Sequence, residues 1–186
     1  MVHLIVQASK YIMILLFMIY TYECFHVFRF NDDEERQNHI YHVQRVLLFI
    51  IHFDAFLVLY LTSEDRQIIA FYLMQVVLLG AIILSYHLFY KHASELVLNN
   101  MCMLISIGFI ILTRLSFEKA FRQFIFVGAG FFIALLIPLI LQNMSVFRKM
   151  TWIYAVVGIG ALLVVAVAGQ TSYGAKLSLS IGGISI

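Results

Sequence analysis

Long apolar blocks separated by short polar links make up most of this chain. A spanning helix needs about 20 mostly apolar residues, and six blocks are close to that length. The blocks are Tyr11–Phe30, Ile40–Leu61, Ile68–Tyr90, Asn100–Leu115, Phe121–Leu141 and Trp152–Ala168. Because the links between them are short, consecutive helices are expected to be antiparallel neighbours. The pattern predicts an all-α fold, a polytopic membrane helix bundle with about six transmembrane helices.

The segment after the sixth block follows a different pattern. Apolar residues alternate with serine over Leu177–Ile181, a Gly182-Gly183 pair follows, and Ile184–Ile186 alternates again. Alternation on both sides of Gly-Gly is typical of a β-hairpin, because both central residues of a type I′ turn have positive φ. We therefore predict a short β-hairpin-like C-terminal segment. Since the sequence stops inside the second predicted strand, we expect it to be the front part of a longer protein.

Composition supports the membrane prediction and gives no indication of nucleic-acid binding, so we predict no nucleic-acid partner. Hydrophobic residues make up 63% of the chain and charged residues 12%, whereas a soluble domain is about 45–50% apolar and about a quarter charged. The basic residues are scattered between apolar blocks and form no single basic patch. Cys24 and Cys102 both lie within apolar blocks, which favours buried small side chains over a disulfide or a metal site.

A few ionisable residues fall inside the apolar blocks. Asp54 falls well inside the second block, and a carboxylate at mid-bilayer depth costs about 2.5–3.5 kcal/mol on insertion scales. Matching depth at about 1.5 Å per residue places Asp54 opposite Gln75 on the third helix, so we predict an intramembrane polar contact between them. A packing contact and a proton or ion relay both fit this position. Similar depth also predicts an ion pair between Glu23 and Arg45.

Candidate metal ligands are poorly clustered in the sequence. His39 and His42 are three residues apart, and His87 and His92 flank a later loop, but no third ligand at a fixed spacing accompanies either pair. We interpret these histidines as interfacial residues and predict no metal site. The acidic run Asp32–Glu35 is expected to lie in a loop and to stabilise the start of the next helix. No catalytic motif and no cofactor-binding motif is identifiable.

Two parts of the chain resemble a known family. Ser106–Ser116 closes the fourth apolar block and Lys119–Gln123 opens the fifth; Gly174-Ala175-Lys176 then leads into Leu179–Gly182. This pattern is similar to the FtsW/RodA/SpoVE (SEDS) cell-shape and division proteins, in which such a segment directly precedes a Gln-Pro-Ser-Glu motif. Ser178 departs from the pattern, because the family commonly has Trp there. The positions that match the family motif are Ser116, Gln123, Gly174, Ala175, Lys176 and Gly182.

The resemblance covers Leu98–Ile186 and implies a domain organisation. Residues 98–186 would be the first three core helices of a SEDS-type membrane domain, and residues 1–97 an N-terminal three-helix extension. Lys and Arg counts are equal on the two sides and do not orient the chain. The family's topology places the loop Gln142–Thr151 in the cytoplasm and both the C-terminal segment and the N-terminus outside. The expected location is the bacterial cytoplasmic membrane.

The resemblance also implies an activity. Family members polymerise the undecaprenyl-linked precursor lipid II into peptidoglycan strands, together with a class B penicillin-binding protein and in contact with membrane lipids. Their essential Asp lies on an external loop of the second half, so no residue of this chain is assigned a catalytic role. Two alternatives stay open: a lipid II flippase or other transporter, which needs a continuous polar path, and a non-catalytic membrane scaffold of the division machinery.

Overall fold

The computed structural model describes residues 2–30, 33–90, 93–143, 151–168, 170–172, 175–178, 180–181 and 184–185. Six helices follow one another along these ranges. They are α1 Val2–His26, α2 Glu34–Ser63, α3 Arg66–Phe89, α4 Glu95–Leu115, α5 Phe117–Asn143 and α6 Thr151–Ala168. A 3₁₀ turn, Val27–Phe30, extends α1. The all-α membrane bundle predicted from the sequence is confirmed.

Five of these helices are long and apolar enough to cross a membrane. The spans are Val2–Phe30, Glu34–Ser63, Arg66–Phe89, Glu95–Leu115 and Phe117–Pro138. The sixth predicted span is present as α6, an 18-residue helix that contains the shorter apolar stretch Ala155–Val164. The predicted blocks therefore correspond to helices in number and order, and the helices extend further into the polar links than the apolar blocks do.

Polar residues in the links determine where α2 and α3 begin and end. The Asp33 side chain accepts a hydrogen bond from the backbone N–H of Arg36, and Glu34 and Glu35 occupy the first turn of α2. Carboxylates at this end of a helix interact favourably with its dipole. The acidic run was expected to lie in the loop before α2, but Glu34 and Glu35 belong to the helix, and Asp32 lies outside the described residues. At the other end, Glu64 ends α2 in the left-handed region at φ 55°. Asp65 then caps α3 by accepting from the N–H of Gln67.

The chain divides into two compact units, Met1–Phe131 and Phe132–Ile186. In the first unit α2 is central, because it contacts α1, α3 and α4. Its core contains Leu48, Ile51, Leu79 and Cys102, all with 0% of their surface exposed. This unit extends across residue 98, so the predicted division between residues 1–97 and 98–186 rests on the family resemblance and stays a prediction.

An aromatic cluster joins the start of α5 to α3 and α4. The Phe71 ring of α3 lies 5.2 Å from that of Phe117 and 5.9 Å from that of Phe124, between ring centroids. Phe109 of α4 lies 6.4 Å from Phe71 and 6.1 Å from Phe124. Edge-to-face and tilted arrangements at these distances are favourable. The cluster therefore fixes the first turns of α5 against the bundle.

The second unit ends in short antiparallel strand pairs. Strands β3 Ser180–Ile181 and β4 Ile184–Ser185 pair across the Gly182-Gly183 position, with Ile181 opposite Ile184, as the alternation predicts. Strands β1 Gln170–Ser172 and β2 Ala175–Ser178 form a second pair, which the sequence pattern did not indicate. Gly182 and Gly183 themselves lie outside the described residues.

Candidate functional site

Polar side chains form a line along the contact between α2 and α4. It has three layers, Arg45 with Glu95, Gln44 with Asn99, and His52 with Ser106, which we call the polar seam. The α4 members are four and seven residues apart, a spacing that places them on one face of a helix. Each layer contributes one side chain from each helix, so the seam fixes how α2 and α4 pack.

The Gln44–Asn99 layer links three helices. Asn99 Nδ2 donates to Gln44 Oε1 at 3.0 Å and to the backbone carbonyl of Tyr41 at 3.2 Å. Gln44 Nε2 in turn donates to the backbone carbonyl of Glu23 at 3.3 Å. Both amide side chains have 0% exposure. Hydrogen bonds offset the cost of burying amides, and the bonds made here join α4 to α2 and α2 to α1. Asn99 Oδ1 is buried and has no hydrogen-bond partner among the described residues.

The His52–Ser106 layer is deeper in the bundle. His52 Nδ1 and Ser106 Oγ are 2.7 Å apart, and neither residue is exposed. The imidazole packs against the rings of Phe56, at 4.8 Å, and Tyr72, at 5.5 Å. Among the residues that the structure describes, His52 Nε2 is buried and has no hydrogen-bond partner. In this layer one ring nitrogen of His52 is hydrogen-bonded and the other has no partner among the described residues, while the ring itself packs against aromatic side chains.

The seam is closely packed. Leu48, Ile51 and Cys102 separate its layers along the two helices, and each has 0% exposure. Within the described ranges, no three His, Cys, Asp or Glu side chains converge in a way that could hold a metal ion. The arrangement can hold helices in register through interhelical hydrogen bonds, and its packed layers disfavour a water-filled path along the seam.

A second set of hydrogen bonds attaches α1. Asn100 Oδ1 accepts from the Tyr20 hydroxyl at 3.1 Å and from the Cys24 thiol at 3.2 Å. Nearer the start of α1, the Ser9 hydroxyl donates to Asp54 Oδ2 at 2.6 Å. Only 6% of the α1 spanning window is buried, and these hydrogen bonds add to the apolar packing of Tyr20, Leu16 and Phe17 against the core.

The predicted Asp54–Gln75 contact is corrected by this geometry. Asp54 bonds to Ser9 of α1, whereas Gln75 has 0% exposure and its amide has no hydrogen-bond partner among the described residues. Depth matching gives the height of a residue and leaves its direction around the helix axis open. Asp54 follows His52 by two residues, which corresponds to about 200° of rotation around the axis of α2. Asp54 therefore lies on the opposite face of α2 from His52 and is directed towards α1.

The predicted Glu23–Arg45 ion pair is also wrong. Arg45 Nη1 lies 3.5 Å from Glu95 Oε2, and its Nη2 lies 3.2 Å from His42 Nδ1. Glu23 lies 3.5 Å from His26 in its own helix. Arg45 belongs to the face of α2 that meets α4, and a carboxylate at the first residue of α4 reaches it there.

An open groove lies between α2 and α3, beside the Arg45–Glu95 layer of the seam. It encloses about 570 Å³ and we call it the interfacial groove. Its lining comes from three helices: Asn38, His42, Arg45 and Phe49 of α2, Gly80, Ile83, Leu84 and His87 of α3, and Glu95 of α4. The sequence drew attention to His42 and His87 but gave no sign that they line one groove.

The family-motif residues are distributed over both units. Ser116 is the link between α4 and α5: its N–H donates to the Leu112 carbonyl at 2.8 Å, and its own carbonyl accepts from the Ala120 N–H at 3.0 Å. Gln123 is exposed on α5. Ala175 and Lys176 lie in β2, opposite Ser172 and Thr171. Gly174 and Gly182 lie outside the described residues.

Of the seam residues, the sequence pointed only to Arg45, and with the wrong partner. The signal for the α4 members was their spacing, because Glu95, Asn99 and Ser106 recur on one face of an otherwise apolar helix. Comparisons with protein-family models, with curated proteins and with solved structures each found no match.

Proposed function

We propose that the chain is the N-terminal membrane part of a SEDS-type peptidoglycan glycosyltransferase of the bacterial cytoplasmic membrane. Its substrate would be lipid II and its partner a class B penicillin-binding protein. The observation that carries the proposal is the order of features after the last apolar helix. Ala175 and Lys176 begin a strand, and two further strands then pair across the Gly182-Gly183 position. This is the order that the family resemblance implies.

The link between α4 and α5 gives additional support. Ser116 alone separates the two helices, and its backbone groups bond to both of them. The family resemblance places a Ser-containing helix end and a following Gln at this point, and Gln123 lies two turns into α5. In the proposed topology the N-terminus and the β strands face outside, and the segment Gln142–Thr151, most of which lies outside the described residues, faces the cytoplasm.

The chemistry divides between this part and the family's second half. Glycosyl transfer needs a base for the attacking sugar hydroxyl and positive charge near the leaving diphosphate. The resemblance assigns the base to an Asp of an external loop in that second half. The proposed topology puts strand β2 outside, where its Lys176 would contribute positive charge beside the diphosphate.

Two other functions compete with this one. A lipid II transporter needs a continuous polar path, which the packed layers of the polar seam disfavour within the described residues. A non-catalytic scaffold needs only exposed apolar surface, and α5 offers this because 6% of its spanning window is buried. The exposed face of α5 is equally suited to packing against the helices of a complete glycosyltransferase domain.

The first test is the gene sequence after the codon for Ile186, where the proposal expects Gln-Pro-Ser-Glu or a close variant. The second is a polymerisation assay with the complete gene product, its class B partner and lipid II, read out as glycan strands on a gel. Lys176→Ala should reduce strand synthesis and Lys176→Arg should retain it, with Lys119→Ala as the control. The 186-residue chain alone should make no glycan.

The outcomes separate the three functions. Glycan strands from the complete product support the proposal. Translocation of lipid II across vesicle membranes without polymerisation would show a transporter and overturn it. Neither activity, together with retention of division proteins by the complete product, would show a scaffold. Strand synthesis by the 186-residue chain alone would contradict the assignment of the base to the second half.

A further inference from the structure

The interfacial groove combines a polar end with an apolar end. Its α2 side is the stripe Asn38, His42, Arg45 and Phe49, and its α3 side is the stripe Gly80, Ile83, Leu84 and His87. These spacings place each stripe on one face of its helix. Since α2 and α3 are antiparallel, the polar residues share the end near the α3–α4 link. Phe49, Gly80 and Ile83 lie deeper in the membrane-spanning part.

The dimensions and openness of the groove suit one chain of a membrane lipid. From Asn38 to Phe49 the groove runs about 16 Å along α2. Leu84 is 58% exposed, and a Cβ added to Gly80 would meet no atom within 4 Å. The apolar end is therefore open at the side of the bundle. The polar end lies towards the start of α2 and the end of α3, where a pair of spanning helices approaches the lipid headgroups.

The charges at the polar end select a kind of headgroup. Arg45 and Glu95 carry opposite formal charges, and the remaining polar groups are His42, His87 and Asn38. Glu95 Oε2 is buried against Arg45, whereas Glu95 Oε1 lies 3.9 Å from His87 Nδ1 and the side chain as a whole is 28% exposed. Arg45 meets Glu95 at 3.5 Å and His42 at 3.2 Å, which leaves several of its N–H donors available. A headgroup that complements these residues therefore has a cation with N–H donors for Glu95 and an anion for Arg45.

We propose that the interfacial groove binds a zwitterionic phospholipid with a phosphoethanolamine headgroup. The phosphate accepts hydrogen bonds from the Arg45 guanidinium, with His42 and His87 beside it. The primary ammonium donates to Glu95 Oε1, the carboxylate oxygen on the side of His87. One acyl chain follows Phe49, Gly80 and Ile83 into the membrane. This site is separate from the proposed glycosyltransferase activity, and its test does not depend on that activity.

The ammonium contact distinguishes phosphatidylethanolamine from close relatives. A primary ammonium has three N–H donors, whereas the quaternary ammonium of phosphatidylcholine has none, and the headgroup of phosphatidylglycerol has no cation for Glu95. Charge-assisted hydrogen bonds are the stronger ones. Losing those to Glu95 should lower lipid affinity about tenfold.

The test is native mass spectrometry of the purified 186-residue chain with an equimolar mixture of the three phospholipids. We expect phosphatidylethanolamine to be retained about tenfold over phosphatidylcholine. Glu95→Gln should abolish that preference, and Gly80→Leu should reduce retention of all three lipids by filling the apolar end. Glu118→Gln and Gly128→Leu are matched controls, because Glu118 pairs with Arg122 within α5 and Gly128 also has open space at its Cβ position.

Three results would overturn the proposal: equal retention of the three lipids by the native chain, preference for phosphatidylglycerol, or an unchanged headgroup preference in Glu95→Gln. The headgroup ratio is measured within each variant, so a partial loss of folded protein does not alter it. Leu84→Trp is a second variant that fills the groove from its exposed rim, and it should reproduce the effect of Gly80→Leu.

Discussion

His52 on α2 and Ser106 on α4 meet through one 2.7 Å hydrogen bond at a depth where neither residue is exposed. The other ring nitrogen of His52 has no partner among the described residues. An unsatisfied buried polar atom costs more than a hydrogen bond contributes. The pairing with Ser106 is therefore what makes an imidazole acceptable between the rings of Phe56 and Tyr72, and it fixes the height of α4 relative to α2.

We predict that Ser106→Ala destabilises the bundle by about 1 kcal/mol. Without the Ser106 hydroxyl, both nitrogens of the His52 ring would lack a hydrogen-bond partner among the described residues. The measurement uses Cys102, which has 0% exposure and lies between Asn99 and Ser106 on α4. In a Cys24→Ser background Cys102 is the one remaining thiol of the chain, and a maleimide dye that fluoresces on reaction follows its release during heating.

Gly108→Ala is the matched control for this measurement. It lies on the same helix, and an added Cβ would meet no atom within 4 Å, so the gain in helix propensity should leave the chain at least as stable. A Ser106→Ala midpoint equal to that of the parent would show that the hydrogen bond contributes nothing. The double change His52→Phe with Ser106→Ala should recover part of the loss, since both polar groups are then removed.

The sequence predicted the helices better than it predicted their contacts. Apolar blocks and polar links determine the number and order of helices because the membrane requires apolar lengths of about 20 residues. They also indicate depth, which is why Asp54 was identified as a carboxyl within a span. They do not indicate which face of a helix meets which neighbour. That depends on packing among all the helices, and so Ser9 and Glu95 were missed as partners of Asp54 and Arg45.

The aromatic cluster gives a second prediction, on the docking of α5. Phe71→Ala removes the ring that contacts Phe109, Phe117, Phe121 and Phe124, and Phe71 is only 2% exposed. We expect a loss of about 3 kcal/mol, because the cavity left by a buried aromatic ring is not refilled. The Cys102 dye assay should show a lower midpoint.

Leu73→Ala controls for the loss of apolar side chain on the same helix. Leu73 is 57% exposed, so Leu73→Ala should change the free energy of unfolding by less than about 0.5 kcal/mol. Phe71→Leu keeps part of the side-chain volume, so its unfolding midpoint should fall between those of Phe71→Ala and Leu73→Ala. If Phe71→Ala and Leu73→Ala gave the same midpoint, the cluster would not be what attaches α5 to α3.

The Ser9–Asp54 bond gives a third prediction, on the docking of α1. Ser9→Ala removes the donor to Asp54 and should loosen α1, whereas Ser9→Ala combined with Asp54→Leu should restore docking. The reason is that a carboxylate within a membrane span costs about 2.5–3.5 kcal/mol, and the double change removes it together with its partner. Cys24 is a local probe of α1, since its thiol bonds to Asn100. Its maleimide labelling rate in a Cys102→Ser background should rise for Ser9→Ala alone.

Asp54→Asn and Ser63→Ala complete this comparison. An amide at position 54 can still accept from Ser9, so Asp54→Asn should label at the parent rate. Ser63→Ala removes an exposed hydroxyl at the end of α2 and should also have no effect. Faster labelling in the double variant than in Ser9→Ala would mean that Asp54 itself holds α1 in place through groups other than Ser9. If Asp54 has a packing role, the double variant should label more slowly than Ser9→Ala, because the carboxyl is tolerated in the span only while Ser9 donates to it.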